Sequence, residues 1–394
     1  MIRSQLFLQI LKFLIFGVLA ITIPETALTQ EKPLIGAQIS ILEGDNWDTC
    51  EKYFQGLKKL GYNTIILRVF HNRKDRFHNL VKESVRKHFQ EGVYFNTDQS
   101  PTITDILTPA CKIAHRNGLK IFAWMTTLKA NYARKLRPQV LSYDKKRGNF
   151  IREKNLMDPQ APENIAFLKQ LFKDLAAYPI DGILLQDDLI LRHNQGFKKI
   201  NHTVVPIPAD IYRSAREIKP YRAPFYNWRQ QQALNLQHLA NEIFTICRTL
   251  KPKILCAQNI HYELLYNADW GRDWFASTLA SIAASEADYL MVMAYQERIR
   301  RELELTSERE LTSTMTKLFK NGQVHEKERI IFKFEIPPLT GSLKQKQKSI
   351  VTLQEIINNA RKKGWQDLIL TPCNNLTTAQ YLKSRGQPSV FSLQ

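Results

Sequence analysis

Residues Ile180 to Asp188 read IDGILLQDD, an apolar run that ends abruptly on two adjacent carboxylates. A segment such as Ile183-Leu184-Leu185, apolar at consecutive positions, has the pattern of a strand buried on both faces, as in parallel sheets covered by helices. Asp187 and Asp188 then fall at the C-terminal tip of that strand, the end where barrel enzymes carry their reacting groups. Like charges in a partly buried site raise at least one pKa, so the pair is poor for stability and makes better sense as chemistry. The structural alternative is that one Asp caps the next helix and the other pairs with an Arg.

Outward from this strand, apolar runs and amphipathic stretches alternate. Strands are expected at Leu34–Ser40, Asn63–Phe70, Lys120–Met125, Ile180–Gln186, Lys253–Asn259, Asp288–Ala294, Arg329–Phe334 and Asp367–Thr371. Between them, Trp47–Leu60, Glu163–Ala177, Arg229–Leu250, Asp273–Ala284, Glu308–Phe319 and Ser349–Lys363 repeat apolar residues at the helical period. Gly61, Gly118, Gly322 and Gly364 stand where helix C-caps are expected, each shortly before a strand. Eight strands alternating with helices spell an α/β fold, a single-domain (β/α)8 TIM barrel over residues 30–394. An open doubly wound sheet would want a Gly-rich first turn, which Ser40-Ile41-Leu42-Glu43-Gly44 does not supply.

Two connections are long, His71–Ser100 after the second strand and Ile190–Tyr226 after the fourth. Loops of such length in a compact domain are usually functional. They carry Phe77, Tyr94, Phe95, Tyr212, Tyr221, Phe225 and Tyr226, with Trp228 just beyond. Such rings suit the apolar C–H faces of a saccharide; the other reading is that they pack the loops onto the barrel.

The chain has 394 residues, 44% hydrophobic and 24% charged, which is ordinary globular usage and ample for one large core. Its net charge of +19 favours acidic partners, such as an anionic membrane or a cell-wall polymer. The basic residues are dispersed, without a Gly-rich phosphate loop or a nucleic-acid signature, so a solvated basic surface is expected and no nucleic-acid partner. Arg3 and Lys12 precede the apolar run Phe13–Ile23, followed by Pro24 and Ala27-Leu28-Thr29. Residues 1–29 therefore read as a signal peptide, or as a membrane anchor if Leu6–Leu11 joins the run, and export follows either way. The five cysteines are odd in number and widely spaced, as small buried hydrophobes are. The nine histidines show no ligand spacing, so neither a metal nor a cofactor is expected.

Side chains alternate along a strand, so Ile183, Leu185 and Asp187 share one side and Leu184, Gln186 and Asp188 the other. The pattern D-G-I-x-x-x-x-acid resembles the fourth strand of chitinase-type barrels. That resemblance aligns Asp188 with their interior proton donor and Gln186 with a helper Asp. Over essentially the whole mature chain, the sequence is more closely similar to the glycoside-hydrolase-like C-terminal domain of bacterial poly-β-1,6-N-acetylglucosamine deacetylases, which process biofilm exopolysaccharide. The matching pieces are Gly92 to Asn96, Lys120 to Met125, Met157-Asp158-Pro159, Asp181 to Asp188, Ala257 to His261, Trp274-Phe275-Ala276 and Met293 to Glu297. Four positions depart from the family: its His is Gln186, its Arg is Gln258, its Pro is Ala294, and its F-E-L-Q reads Phe332-Lys333-Phe334-Glu335. With the barrel expected to begin right after the signal, the family's preceding metal-dependent deacetylase domain is not expected here, nor is deacetylation.

The resemblance implies an acid of the Asp pair and the Glu after strand six, Glu297, in hydrolysis or binding of poly-N-acetylglucosamine. On that basis Asp188 is the expected acid, Glu297 the base or stabiliser, and Asp187 the neighbour that raises the acid's pKa. Tyr295 and Asn259, at strand tips, are expected to orient an acetamide. Gln186, Trp124, Tyr94, Trp228 and Glu335 complete the expected sugar-binding set. Three function classes remain: an exported glycosidase, a non-catalytic polysaccharide-binding barrel, and a barrel docked on an anionic surface.

Overall fold

In the computed structural model, eight parallel strands close into a barrel: β1 (Ile35–Ile39), β2 (Thr64–Arg68), β3 (Lys120–Met125), β4 (Gly182–Leu185), β5 (Leu255–His261), β6 (Tyr289–Met293), β7 (Ile330–Glu335) and β8 (Leu368–Thr371). Each pairs with its neighbours in sequence, and β8 closes on β1 with Ile35 beside Leu368. The structure describes residues 33–375 apart from 131, 133–136, 145, 198, 201–202, 205–222 and 338–341. The N-terminal segment read as a signal or anchor lies outside the described residues, as do Tyr212 and Tyr221. Among the described residues no helix is long and apolar enough to cross a membrane.

Alternation along the strands builds two cores. Ile66, Phe122, Leu184, Ala257, Met291, Ile331 and Ile369 fill the barrel, while residues such as Ile65, Ala123, Ile183, Val292 and Phe332 pack outward against the helices. Helix Trp47–Lys59 starts on Asn46, whose side chain accepts from the Thr49 N–H, and buries Cys50, Tyr53, Phe54 and Leu57. Each such side chain contributes roughly 1.5–3 kcal/mol by leaving water. Helix Glu308–His325 opens on a reciprocal pair between Ser307 and Glu310. All five cysteines are free and buried, as their spacing suggests.

Three elements differ from the expected pattern. Gly322 is no C-cap, because its helix runs on to His325. A Cβ there would meet Trp365 at 3.1 Å and Phe332 at 3.3 Å, so the glycine serves close packing. The stretch read as one helix over Asp273–Ala284 is two, Ala268–Phe275 and Leu279–Ala283, separated where Ala276 turns left-handed at φ 49° and Thr278 caps anew. The connection after β3 holds an antiparallel hairpin, Gln139–Asp144 with Asn149–Met157, that no apolar alternation announces.

Candidate active site

The C-terminal mouth of the barrel is floored by polar residues one step above the apolar interior layer. Arg68, Trp124, Gln186, Asn259 and Lys333 follow Ile66, Phe122, Leu184, Ala257 and Ile331 on the same face. The Trp124 indole donates to Gln186 Oε1 at 2.5 Å. Lys333 donates to Asn259 Oδ1 at 2.7 Å, and Asn259 Nδ2 donates to the Leu185 carbonyl at 3.1 Å. Lys333 is fully buried, and burial lowers its ammonium to about 7, against an upward pull from Asp187. Gln38 Oε1 and Arg68 Nε, both buried, have no hydrogen-bond partner among the described residues.

Around this floor stand the acids and a phenol. Burial, then the charges of Asp187 and Glu335, push the Tyr295 hydroxyl well up, so both carboxylates bear on that ring. Lys333 Nζ sits 6.0 Å from the centre of the same ring. The Glu335 carboxyl is itself raised, by burial first and by Glu297 second. Its backbone is clamped by Gln296, whose Oε1 accepts from the Glu335 N–H at 3.1 Å and whose amide donates to the Glu335 carbonyl. Glu297 lies at the rim with its side chain 37% exposed, 3.6 Å from Arg300.

The Asp pair divides differently from the strand-parity expectation. Asp188 is 4% exposed and accepts from Thr126 Oγ1 (2.6 Å), Thr127 N and Oγ1 (2.9 and 2.8 Å) and Lys129 N (2.7 Å). Burial still raises its carboxyl, although these bonds pull the other way. Its oxygens hold the loop after β3 rather than facing the mouth. Asp187 is the acid whose charge reaches Lys333, Tyr295 and Arg192. The reason is local: β4 ends at Leu185, so the strict alternation that would send Asp187 outward stops two residues before it.

Gln186, Asn259, Tyr295, Trp124 and Glu335 are brought together here, with Glu297 at the edge. Tyr94 is not among them. It is fully buried, with its hydroxyl 3.0 Å from His71 Nδ1 and its ring edge-on to His78. Trp228 stacks on Phe197 at 4.7 Å, and Phe197 continues to Phe150, so this ring packs the hairpin and the loop after β4. Phe77 stacks on His71, and Tyr226 remains 40% exposed.

Sequence reasoning missed the charged layer behind Asp187. His261, at the end of β5, stacks on Phe275 at 3.9 Å and lies 4.0 Å from Glu263. Burial raises the Glu263 carboxyl to about 7, and Arg298 is 3.8 Å away. Burial lowers His261 to about 3, helped by Arg298 and Arg192. A lysine inside the apolar run Ile330 to Phe334, in step with Ile331, was the signal available for Lys333. Beside the Asp188 loop, a cavity of about 360 Å³ is lined by Asn72, Arg73, Glu91, Lys129, Tyr132 and Glu153, among others. Among the described residues, no three His, Cys, Asp or Glu side chains gather as a metal site would need.

The model of hypothetical glycosyl hydrolase family 13 matches residues 57–363. Among solved structures, the PgaB (BpsB) glycoside hydrolase domain from Bordetella bronchiseptica is 15% identical with a TM-score of 0.64, covering 92% of this chain and 99% of that one. The catalytic domain of a beta-amylase from Paenibacillus polymyxa is 12% identical with a TM-score of 0.54, covering 90% and 99%. An endo-1,4-beta-mannanase from Rhizomucor miehei is 10% identical with a TM-score of 0.51, covering 90% and 96%. At these identities the structural likeness speaks for the fold alone. No curated protein matches the sequence.

Proposed function

The chain belongs to hypothetical glycosyl hydrolase family 13, and from that premise we propose that it cleaves O-glycosidic bonds in an aminosugar polysaccharide such as poly-β-1,6-N-acetylglucosamine. One observation carries the reading: two carboxylates, Asp187 and Glu335, bear on Tyr295 from the mouth of the barrel, in environments that differ. Glycoside hydrolysis needs a protonated acid at the leaving oxygen and a second group to stabilise an oxocarbenium-like centre. Glu335, half-buried and under the charge of Glu297, suits the proton donor, because burial and that charge both raise its carboxyl above the ordinary range. Asp187, whose charge reaches Lys333 and Tyr295, suits the second, stabilising group. With an N-acetyl sugar, the substrate's acetamido oxygen can attack in place of a protein group, and Asn259 and Tyr295 stand where that acetamide would be oriented. Trp124 and Gln186 form the floor under the sugar ring, and the cavity of about 360 Å³ offers room for a further unit of the polymer.

This assignment moves the acid from Asp188 to Glu335 and gives Asp188 the task of holding the loop after β3. Export through the N-terminal apolar segment belongs to the same proposal, and fractionation of cells into cytoplasm, envelope and medium tests it. A second reading, a non-catalytic polysaccharide-binding barrel that assists export, is favoured by one observation: a lysine fills the floor of the mouth. Incubating the purified mature chain with β-1,6- and β-1,4-linked glucosamine oligomers of defined acetylation, with products read by mass spectrometry, separates the two. Shorter oligomers that vanish with Asp187→Asn or Glu335→Gln support hydrolysis; binding without cleavage supports the second reading.

A further inference from the structure

We infer that Gln296 is a positioning residue, whose side-chain amide stands in for a missing stretch of β6 and so holds the Glu335 carboxyl toward the barrel mouth. The inference rests on the proton-donor role given to Glu335 above. β6 pairs with β7 from Leu290 beside Ile330 to Met293 beside Lys333 and no further. Past Met293 the chain turns, with the Ala294 N–H donating to the Val292 carbonyl at 2.9 Å, and helix Gln296–Glu302 begins. β7 runs on to Glu335, two residues beyond this last pair. On its other side β7 keeps its neighbour: Glu335 lies beside Thr371, and the Ile336 N–H donates to the Thr371 carbonyl at 2.7 Å. The N–H and C=O of Glu335 face the place that β6 has left.

The Gln296 amide fills that place. Its Oε1 accepts from the Glu335 N–H at 3.1 Å, and its Nε2 donates to the Glu335 carbonyl. A primary amide carries the same donor and acceptor as a peptide, so one side chain satisfies both groups. Gln296 is 1% exposed, in surroundings where an unpaired peptide group is costly. The consequence is geometric. Alternation puts Ile331, Lys333 and Glu335 on the interior face only while β7 stays extended. β4 is the contrast, since it ends at Leu185 and strict alternation lapses before Asp187. The helix that Gln296 starts also carries the charges that act on the Glu335 carboxyl, Glu297 raising it and Arg301 and Arg298 lowering it. Tyr295 caps that helix; of the flanking strands, β7 adds Lys333 and β8, Leu368–Thr371, adds no titratable group. One contact thus fixes the backbone of the acid and the register of the charges around it.

The test compares wild type with Gln296→Met, which keeps the length of the side chain and removes both hydrogen bonds. Carboxyl-carbon NMR on the folded proteins reads the Glu335 titration, and amide exchange reads its N–H, whether or not a sugar is cut. Without the clamp, the Glu335 N–H should exchange about tenfold faster or more. The carboxyl, released toward water, should titrate about one pH unit lower, nearer the ordinary range. In turnover, kcat on a natural oligosaccharide should fall about ten- to a hundredfold at little-changed KM. An aryl glycoside with an acidic phenol leaves unprotonated and should lose far less. A residue that only supports the fold would lower the melting temperature and leave the Glu335 midpoint and the ratio of the two substrates where they were. Should Gln296→Met not fold, Gln296→Asn, one methylene too short to reach both groups, is read in the same way. An unmoved Glu335 midpoint in either folded variant overturns the inference. A moved midpoint and faster exchange, with no cleavage even by wild type, would retain the clamp and remove the hydrolase reading.

Discussion

The Thr126 hydroxyl donates to Asp188 Oδ2 at 2.6 Å, and Thr127 and Lys129 supply further donors to the same carboxylate. An acid so thoroughly engaged is anchoring the loop after β3, and removing its charge should unsettle that loop before it affects chemistry. Asp188→Asn sets an amide NH2 against hydroxyl and backbone donors, so a loss of about 2–4 kcal/mol is expected. Asp187→Asn should cost about a hundredfold or more in turnover at an unchanged melting temperature. Thermal melts and kcat for both variants decide this. Lost turnover at wild-type stability in Asp188→Asn, with a mild Asp187→Asn, would return the acid to Asp188.

Glu335 as proton donor has a signature in the leaving group. Glu335→Gln cannot protonate the departing oxygen, so cleavage of a natural oligosaccharide should fall about a hundredfold or more. An aryl glycoside with an acidic phenol leaves without that proton and should lose much less. Equal losses on both substrates would sink the donor role.

Glu263 gives a stability prediction with a definite sign. Its folded-state carboxyl lies at about 7, above the ordinary value of 4.5, because burial disfavours the charged form. The stability it contributes is fully present below about pH 4.5 and is lost as pH rises through about 7. At roughly 1.4 kcal/mol per pH unit, that window spans about 3 kcal/mol. Glu263→Gln should therefore flatten the fall in melting temperature between pH 4.5 and 8 relative to wild type. Parallel curves for the two proteins would refute the assignment.

The barrel strands were legible because buried parallel strands are short apolar runs; Lys120–Met125 is found with its expected ends. The site was half legible. Gln186, Asn259, Tyr295 and Trp124 follow from strand tips and do line the mouth. The Asp pair did not follow, because alternation holds only while the backbone is extended, and β4 stops at Leu185. Tyr94 looked like a loop aromatic but lies between His71 and His78 in the core, which a chain-order reading cannot distinguish from a surface ring. The hairpin after β3 escaped because its second strand carries Arg152, Glu153 and Lys154 in succession, with no apolar face to betray it.

Gly322 offers a packing test of the same lesson. Alanine in a helix interior is favoured over glycine by about 1 kcal/mol from backbone preference alone. Against that, the new methyl would press on Trp365 and Phe332, two buried rings already in edge contact at 5.0 Å. Both contacts are tighter than ordinary van der Waals separation and fall on buried rings, so overpacking at about 1–3 kcal/mol is expected to outweigh the backbone gain. Gly322→Ala should lower the melting temperature; a rise would mean that glycine is kept at this position for some other reason.

The net charge of +19 makes a last prediction about partners. The carboxylates proposed to act on the sugar, Asp187 and Glu335, stand around a buried floor, where salt screens little. Some of the basic side chains are paired locally: Arg116 with Glu51, Arg300 with Glu308, Arg329 with Glu326. Cleavage of short oligomers should then change little between about 50 and 300 mM salt. Binding to anionic vesicles should be weak and should vanish over the same range, because a dispersed surface charge acts only through its long-range field. Tight, salt-resistant binding to an acidic glycan, without affinity for glucosamine oligomers, would overturn the proposed substrate class.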